Sequence, residues 1–109
     1  IRDIAKKGSC VIVGRCADYL LKDDPGCYRV FIHADKDFRI KRAKEEYGFS
    51  KDSEAKHAVK TIDRNRNAYH KKYAGYAWDD CHNYHLTVNS GLLGIERSVD
   101  LISEMVFSR

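Results

Sequence analysis

Apolar positions follow two rhythms along this chain, and together they lay out its elements. Cys10-Val11-Ile12-Val13 is a short unbroken apolar run ending at Gly14, the pattern of a strand covered on both faces. Arg29-Val30-Phe31-Ile32-His33-Ala34 reads as a second strand, and the alternating His85-Leu86-Thr87-Val88-Asn89 as a third. Between them the spacing is helical. Ile1 to Lys7 reads as the end of a helix stopped by Gly8, and Ala17 to Leu21 as a short helical turn. Asp35 can cap a helix from Lys36 to about Tyr47, closed by Gly48, with Phe38, Ile40 and Ala43 as its apolar contacts. The longest helix starts in the polar stretch Ser50–Ser53 and runs to about Tyr73, ending at Ala74-Gly75. Its apolar residues Ala55, Ala58, Val59, Ile62, Tyr69 and Tyr73 predict one stripe facing the body of the protein. Asp23-Asp24-Pro25-Gly26 and Gly91–Gly94 are turn signals, and a last amphipathic helix runs from Ile95 to about Phe107. Strands separated by helices imply an α/β fold, a parallel sheet with right-handed crossovers and flanking helices.

One block of the long helix carries chemistry. Arg66 falls on the apolar stripe, four residues after Ile62 and three before Tyr69. A guanidinium aimed at a protein body needs an anion to meet it. Asp63, one turn earlier, supplies one reading: an internal Asp63–Arg66 bridge that ties the helix down. The other reading is an Arg/Asp pair reaching into a cleft that holds an anionic ligand. Arg15 just beyond the first strand stands where α/β sheets collect ligands, outside the carboxyl end of a strand, with Gly14 allowing close backbone approach.

Charge sharpens this picture. Of the net +4, the segment Lys36–Lys72 holds twelve Lys/Arg against six Asp/Glu, a local +6 that leaves −2 elsewhere. Basic character in the middle helices points to phosphate-bearing partners, mononucleotides or nucleic acid. On the helix from Lys36, Arg39 and Arg42 share a face; a solvated charged surface is the plainer reading of such a run. The 109 residues allow one domain at most, and 43% hydrophobic content supports a core. No stretch approaches a membrane span, so no membrane partner is expected. Four irregularly spaced cysteines without CxxC read as reduced cytoplasmic thiols. Cys81-His82 with His85 falls short of a zinc site, because a second ligand pair at standard spacing is missing. The start at Ile1, already on an apolar helical face, reads as a piece of a longer protein.

With these pieces placed, the chain resembles the C-terminal part of a cytidylate kinase, and more closely the cytidylate-kinase-like family. Val11-Ile12-Val13-Gly14-Arg15 is similar to the block holding the acceptor nucleotide's phosphate. Asp63-Arg64-Asn65-Arg66 is similar to an Arg-Asp-Arg-Asn-Arg stretch whose Asp and last Arg contact the cytidine nucleotide. Leu86-Thr87-Val88-Asn89-Ser90, followed by Ile95-Glu96, resembles a final strand and helix whose connecting turn lies near the adenine of ATP. The resemblance implies a P-loop nucleoside-monophosphate-kinase-like fold lacking its N-terminal part, with residues 1–109 the end of one kinase domain and a helical lid at about 36–74. It implies transfer of the ATP γ-phosphoryl group to a CMP-like monophosphate, with ATP and Mg2+ as cofactors.

Carried over by position, Arg39 and Arg42 become catalytic lid arginines. Arg15, Asp63 and Arg66 become acceptor contacts, Asp18 can stand in as a further one for an Asp missing at Cys16, and Asn89 and Ser90 lie by the ATP. There are departures. Cys16 stands where the family has Asp, with Asp18 two residues on, and Val59 or Lys60 stands where an Arg precedes Asp63. No GxxxxGK[ST] occurs, so this stretch alone is expected to be inactive. The rival reading is a non-catalytic nucleotide- or single-stranded nucleic-acid-binding module, with Tyr69, Tyr73, Tyr76 and Trp78 stacking bases near the basic helices. On the kinase reading no nucleic-acid partner is expected. The loop Tyr76-Ala77-Trp78-Asp79-Asp80 receives no role on it, unless it serves contacts between copies.

Overall fold

The computed structural model describes residues 6–14 and 16–107. Its elements in order are α1 (Ala17–Leu20), β1 (Val30–His33), α2 (Lys36–Tyr47), α3 (Asp52–Ala74), a 3-10 turn (Cys81–Asn83), β2 (Leu86–Asn89), α4 (Ser90–Leu93) and α5 (Ile95–Phe107). β1 and β2 pair in parallel, with Val30 opposite Leu86 and His33 opposite Asn89. The parallel sheet with flanking helices is therefore present, and β2 lies beside β1 after a crossover through α2 and α3. Most helix limits agree with the apolar periodicity to within a residue or two; Ser90–Leu93 is helical where only a turn was expected.

The expected first strand is not in the sheet. Residues 10–13 have no strand partner among the described residues, and Val11 and Val13 are 93% and 87% exposed. A strand is defined by a hydrogen-bonded neighbour; apolar composition alone does not provide one. Arg15 and most of the expected first helix, residues 1–5, lie outside the described residues.

One small buried apolar cluster sits between α2 and α3, and Val88 of β2 is buried apart from it. Ala43, Ala55 and Val59 are buried together, with Ile40 and Phe49 against them. Alanines at the crossing let the two helices approach closely. Gly48, at φ +75°, makes the left-handed residue that closes α2 and turns the chain back toward α3. A Lys44–Asp52 ion pair at 2.6 Å braces this corner.

Beyond Val59 the stripe does not stay buried: Ile62, Tyr69 and Tyr73 are 46%, 48% and 56% exposed. The reason is length. α2 has 12 residues and α3 has 23, so only the first half of α3 has a helical partner. Its second half meets α1 and the loop after Gly75, and there the buried residue is His70. At the other end, α5 carries its apolar positions partly open, with Ile95 and Phe107 exposed.

Candidate functional site

The carboxyl end of β1, the inner faces of α2 and α3, and the loop after α3 enclose an open cleft of about 880 Å3. Parallel strands feed their following segments to one edge, so the end of β1, residues His33 and Ala34, forms its floor together with Phe31. α2 contributes Phe38, Arg39 and Arg42, and α3 contributes Asp63, Arg64, Arg66 and Asn67. The far wall is Trp78, Asp79 and Cys81, with Ser90 at the end of β2. Four arginines thus face two aspartates, which leaves the cleft electropositive and suited to phosphate.

The strongest interaction here joins the two helices. Arg39 donates from Nη1 to Asp63 Oδ2 at 2.8 Å, and from Nη2 to Asp63 Oδ1, a two-pronged pair across 24 residues of sequence. Asp63 therefore pairs with Arg39, and the internal Asp63–Arg66 bridge is not formed. Planar fork and carboxylate match in shape, which favours arginine over lysine at position 39. Arg42 donates to Glu46 at 3.1 Å along its own helix.

Arg66 is exposed and lies over the ring of Trp78, its guanidinium carbon 5.6 Å from the ring centroid. The Trp78 ring meets Phe31 edge-on at 5.0 Å, and Phe31 stacks on Tyr84 at 5.1 Å. The main chain of Trp78 is held at both ends. Its N–H donates to Asn67 Oδ1 at 3.2 Å, and its carbonyl accepts from the Tyr84 hydroxyl at 2.6 Å. Burial, with the Asp18 carboxylate second, pushes the Tyr84 hydroxyl up to about 12. It stays a neutral donor through the physiological range.

Asp18 takes part in a second cluster, behind the loop. Its carboxylate lies 3.0 and 3.1 Å from Nε2 of buried His70, and Oδ2 accepts from the Tyr76 hydroxyl at 3.0 Å. The other ring nitrogen of His70 faces the Tyr76 carbonyl at 3.3 Å. Burial and the Asp18 bond raise the Tyr76 hydroxyl well above the usual range for tyrosine. Cys16, at φ 54° the one non-glycine residue with positive φ among those described, is buried beside it, and burial raises its thiol.

Of the residues singled out in the sequence, Arg39, Arg42, Asp63, Arg66 and Ser90 line one cleft. Asp18 is tied into the His70 cluster, and Arg15 is outside the described residues. Asn89 caps α4 by accepting from Leu92 N–H at 3.1 Å, while Ser90 Oγ donates to the His33 carbonyl at 3.4 Å. Sequence reasoning did not find Trp78 as a cleft wall, nor His70 and Tyr76 as partners of Asp18. For the metal reading, His85 is engaged elsewhere, Nδ1 accepting from Arg29 N–H at 2.8 Å. Asp80, Cys81 and His82 instead bring donor atoms within 4.8 Å of one another, but Asp80 Oδ1 already accepts from the His82 main chain and faces its ring.

The family profile of the cytidylate kinase-like family matches residues 1–92. The chain belongs to the cytidylate kinase-like family. No curated protein sequence matches it. Among solved structures it is similar to the crystal structure of an uncharacterized protein from Eubacterium ventriosum ATCC 27560, at a TM-score of 0.90 and 33% identity. That likeness covers 99% of this chain and 60% of the other, so the chain spans about three fifths of that protein's length. A kinase-like scaffold follows from the family. No helix among the described residues is long and apolar enough to cross a membrane.

Proposed function

We propose that the intact protein transfers the γ-phosphoryl group of Mg-ATP to a CMP-like nucleoside monophosphate, and that the cleft between α2, α3 and the end of β1 is part of that site. The observation that carries this reading is the convergence of Arg39, Arg42, Arg64 and Arg66 with Asp63 on one cleft, in a chain of this family. Phosphoryl transfer asks little covalent chemistry of a protein; it asks for positioning and for positive charge on the transferring oxygens. Arg39 and Arg42, on the segment 36–74 that acts as a lid, supply charge to the transferring group. Arg66 and Arg15 hold the acceptor phosphate, and Asn89 and Ser90 lie by the ATP. Asp63 sets Arg39 through its carboxylate. Asp18, with its oxygens engaged by His70 and Tyr76, contributes by fixing the wall of the site.

Mg2+ favours phosphate oxygens and water over an all-protein cage. Within the cleft, Asp79 is the carboxylate outside the Arg39 pair that fits such a hydrated ion. Four free cysteines fit a reducing, cytoplasmic setting.

The Arg39–Asp63 pair supports a second reading, a scaffold that binds nucleotides or single strands without transferring phosphate, since it engages two residues the reaction would use. One experiment tests both. The full-length protein and its Arg66→Met variant are incubated with Mg-ATP and CMP, and nucleotides are separated. CDP formation by the parent is expected, with kcat/KM for CMP reduced roughly ten- to a hundredfold in the variant. Because Arg66 is exposed and Asp63 keeps Arg39, the melting temperature should hardly move. CMP binding without CDP would establish the second reading; equal kcat/KM in parent and variant would remove Arg66 from the site.

A further inference from the structure

The loop Tyr76–Asp80 builds one wall of the cleft, and its Trp78 has no part in the proposed reaction so far. We infer that Trp78 is a stacking platform for the nucleobase of the ligand bound in this cleft, a proposal that rests on the cleft being a nucleotide site.

Three observations converge on it. The ring is half-buried and borders the cleft, so part of it is open to a ligand. It is also pre-organised: Asn67 and Tyr84 fix its main chain on either side, and Phe31 braces the ring edge-on at 5.0 Å. A platform held this way needs little ordering when a flat ligand arrives. Finally, its present neighbour is a planar cation. The Arg66 guanidinium lies over the ring at 5.6 Å, showing that a flat, electron-poor group is accommodated there. Arg66 and Trp78 therefore stand side by side as a phosphate-seeking group and a base-seeking group. A nucleoside monophosphate presents that pair of chemistries, a flat base and an anion a few ångströms apart. Inorganic phosphate and sugar phosphates present one of them.

Stacking on an indole accepts every base through its π-face, so Trp78 supplies affinity for nucleobases in general. Choice among bases is then left to polar groups lining the cleft, of which Asn67 is one. With Arg66 on the same face, base binding requires the guanidinium to slide off the indole or to sandwich the base against it.

This chain contains a single tryptophan, which makes the test direct. The full-length protein and its Trp78→Phe variant are compared, and the emission that the variant lacks is assigned to Trp78. That emission is followed during titration with CMP and, separately, with ribose 5-phosphate. CMP is expected to quench it and ribose 5-phosphate to leave it unchanged. Trp78→Leu should weaken CMP binding by about five- to over a hundredfold, with ribose 5-phosphate binding unaltered as the check on folding. Trp78→Phe should retain most of the affinity, because a ring remains. CMP bound by equilibrium dialysis with Trp78 emission unchanged, or bound equally well by Trp78→Leu, overturns the platform and leaves the nucleotide cleft standing. Failure to bind either compound overturns the cleft reading and the platform with it.

Discussion

Arg39 and Asp63 offer the most demanding test of how this structure is held together. Each side chain is under a third exposed, at 29% and 27%, and both carboxylate oxygens are engaged by one guanidinium. Fully exposed ion pairs contribute about 0.2–1 kcal/mol. Hydrogen bonds to charged groups contribute about 1.5–3 kcal/mol when well shielded. A half-shielded, two-pronged pair lies between, so we expect a coupling of about 1–2 kcal/mol. Asp63→Asn keeps one acceptor and loses the second along with the charge. For a domain of this size, each kcal/mol shifts the melting temperature by roughly 4–8 °C, so a fall of about 4–16 °C should follow. Arg39→Met, which preserves most of the stem packing, should behave alike, and the double variant should cost much less than the two single changes together. Denaturant melts of all four proteins give the cycle. Contact at this range is only partly screened, so most of the coupling should persist from about 0.1 to 1 M NaCl. A coupling below about 0.3 kcal/mol, within the additivity expected of independent sites, would mean that the pair is not what joins α2 to α3.

Other expectations concern pH, a turn and the buried cluster. Tyr84 is raised to about 12 by burial and the neighbouring Asp18, so its neutral form is favoured in the fold. The stability it contributes is fully present below pH about 10, its unfolded value, and is lost as pH rises through the folded value. Ultraviolet titration should show a tyrosine ionising late, together with loss of helical circular dichroism; ionisation of every tyrosine near pH 10 without unfolding would contradict it. Gly48→Ala places a Cβ at φ +75° and should cost about 1 kcal/mol by urea titration, whereas a neutral result would mean that this corner relaxes. His70→Ala removes a 4%-exposed ring from between Asp18 and Tyr76, and should destabilise by about 2–4 kcal/mol. Asn at position 70, able to replace one bond, should recover part of that; equal loss in both variants would assign the effect to packing alone.

Much of the backbone was legible because its signals are local. Gly48 and Gly75 end their helices where left-handed residues were expected, and the alternation in β2 gave its limits. The candidate cleft was partly legible for the same reason: Arg39 and Asp63 sit on helical faces that periodicity can compute. Pairing was not. Asp63 was read against Arg66, its neighbour along the helix, because a sequence displays contacts three and four residues apart and hides those 24 apart. The stripe through Ile62, Tyr69 and Tyr73 went wrong because periodicity marks a face without saying how far its partner helix extends. Residues 10–13 went wrong because apolar composition cannot name a strand's neighbour.

The second half of α3 reconciles these misses. Past the end of α2 it acts as a spine with two polar anchor points, His70 toward Asp18 and Asn67 toward Trp78. Both anchors hold the same loop, since Tyr76 is fastened at the first and Trp78 at the second. Buried His70 is costly unless satisfied, and its bonds, like that of exposed Asn67, also fix a position in the loop. The aromatic wall of the cleft is thus set partly by Asp18 and His70, which do not line it. On this basis Asp18→Asn, which weakens the acceptor for both His70 and Tyr76, should loosen Trp78 as well as lower stability. Acrylamide quenching of the Trp78 emission should then rise in the variant under conditions where it is still folded. Unchanged quenching in folded Asp18→Asn would show that Asn67 and Tyr84 hold the wall by themselves.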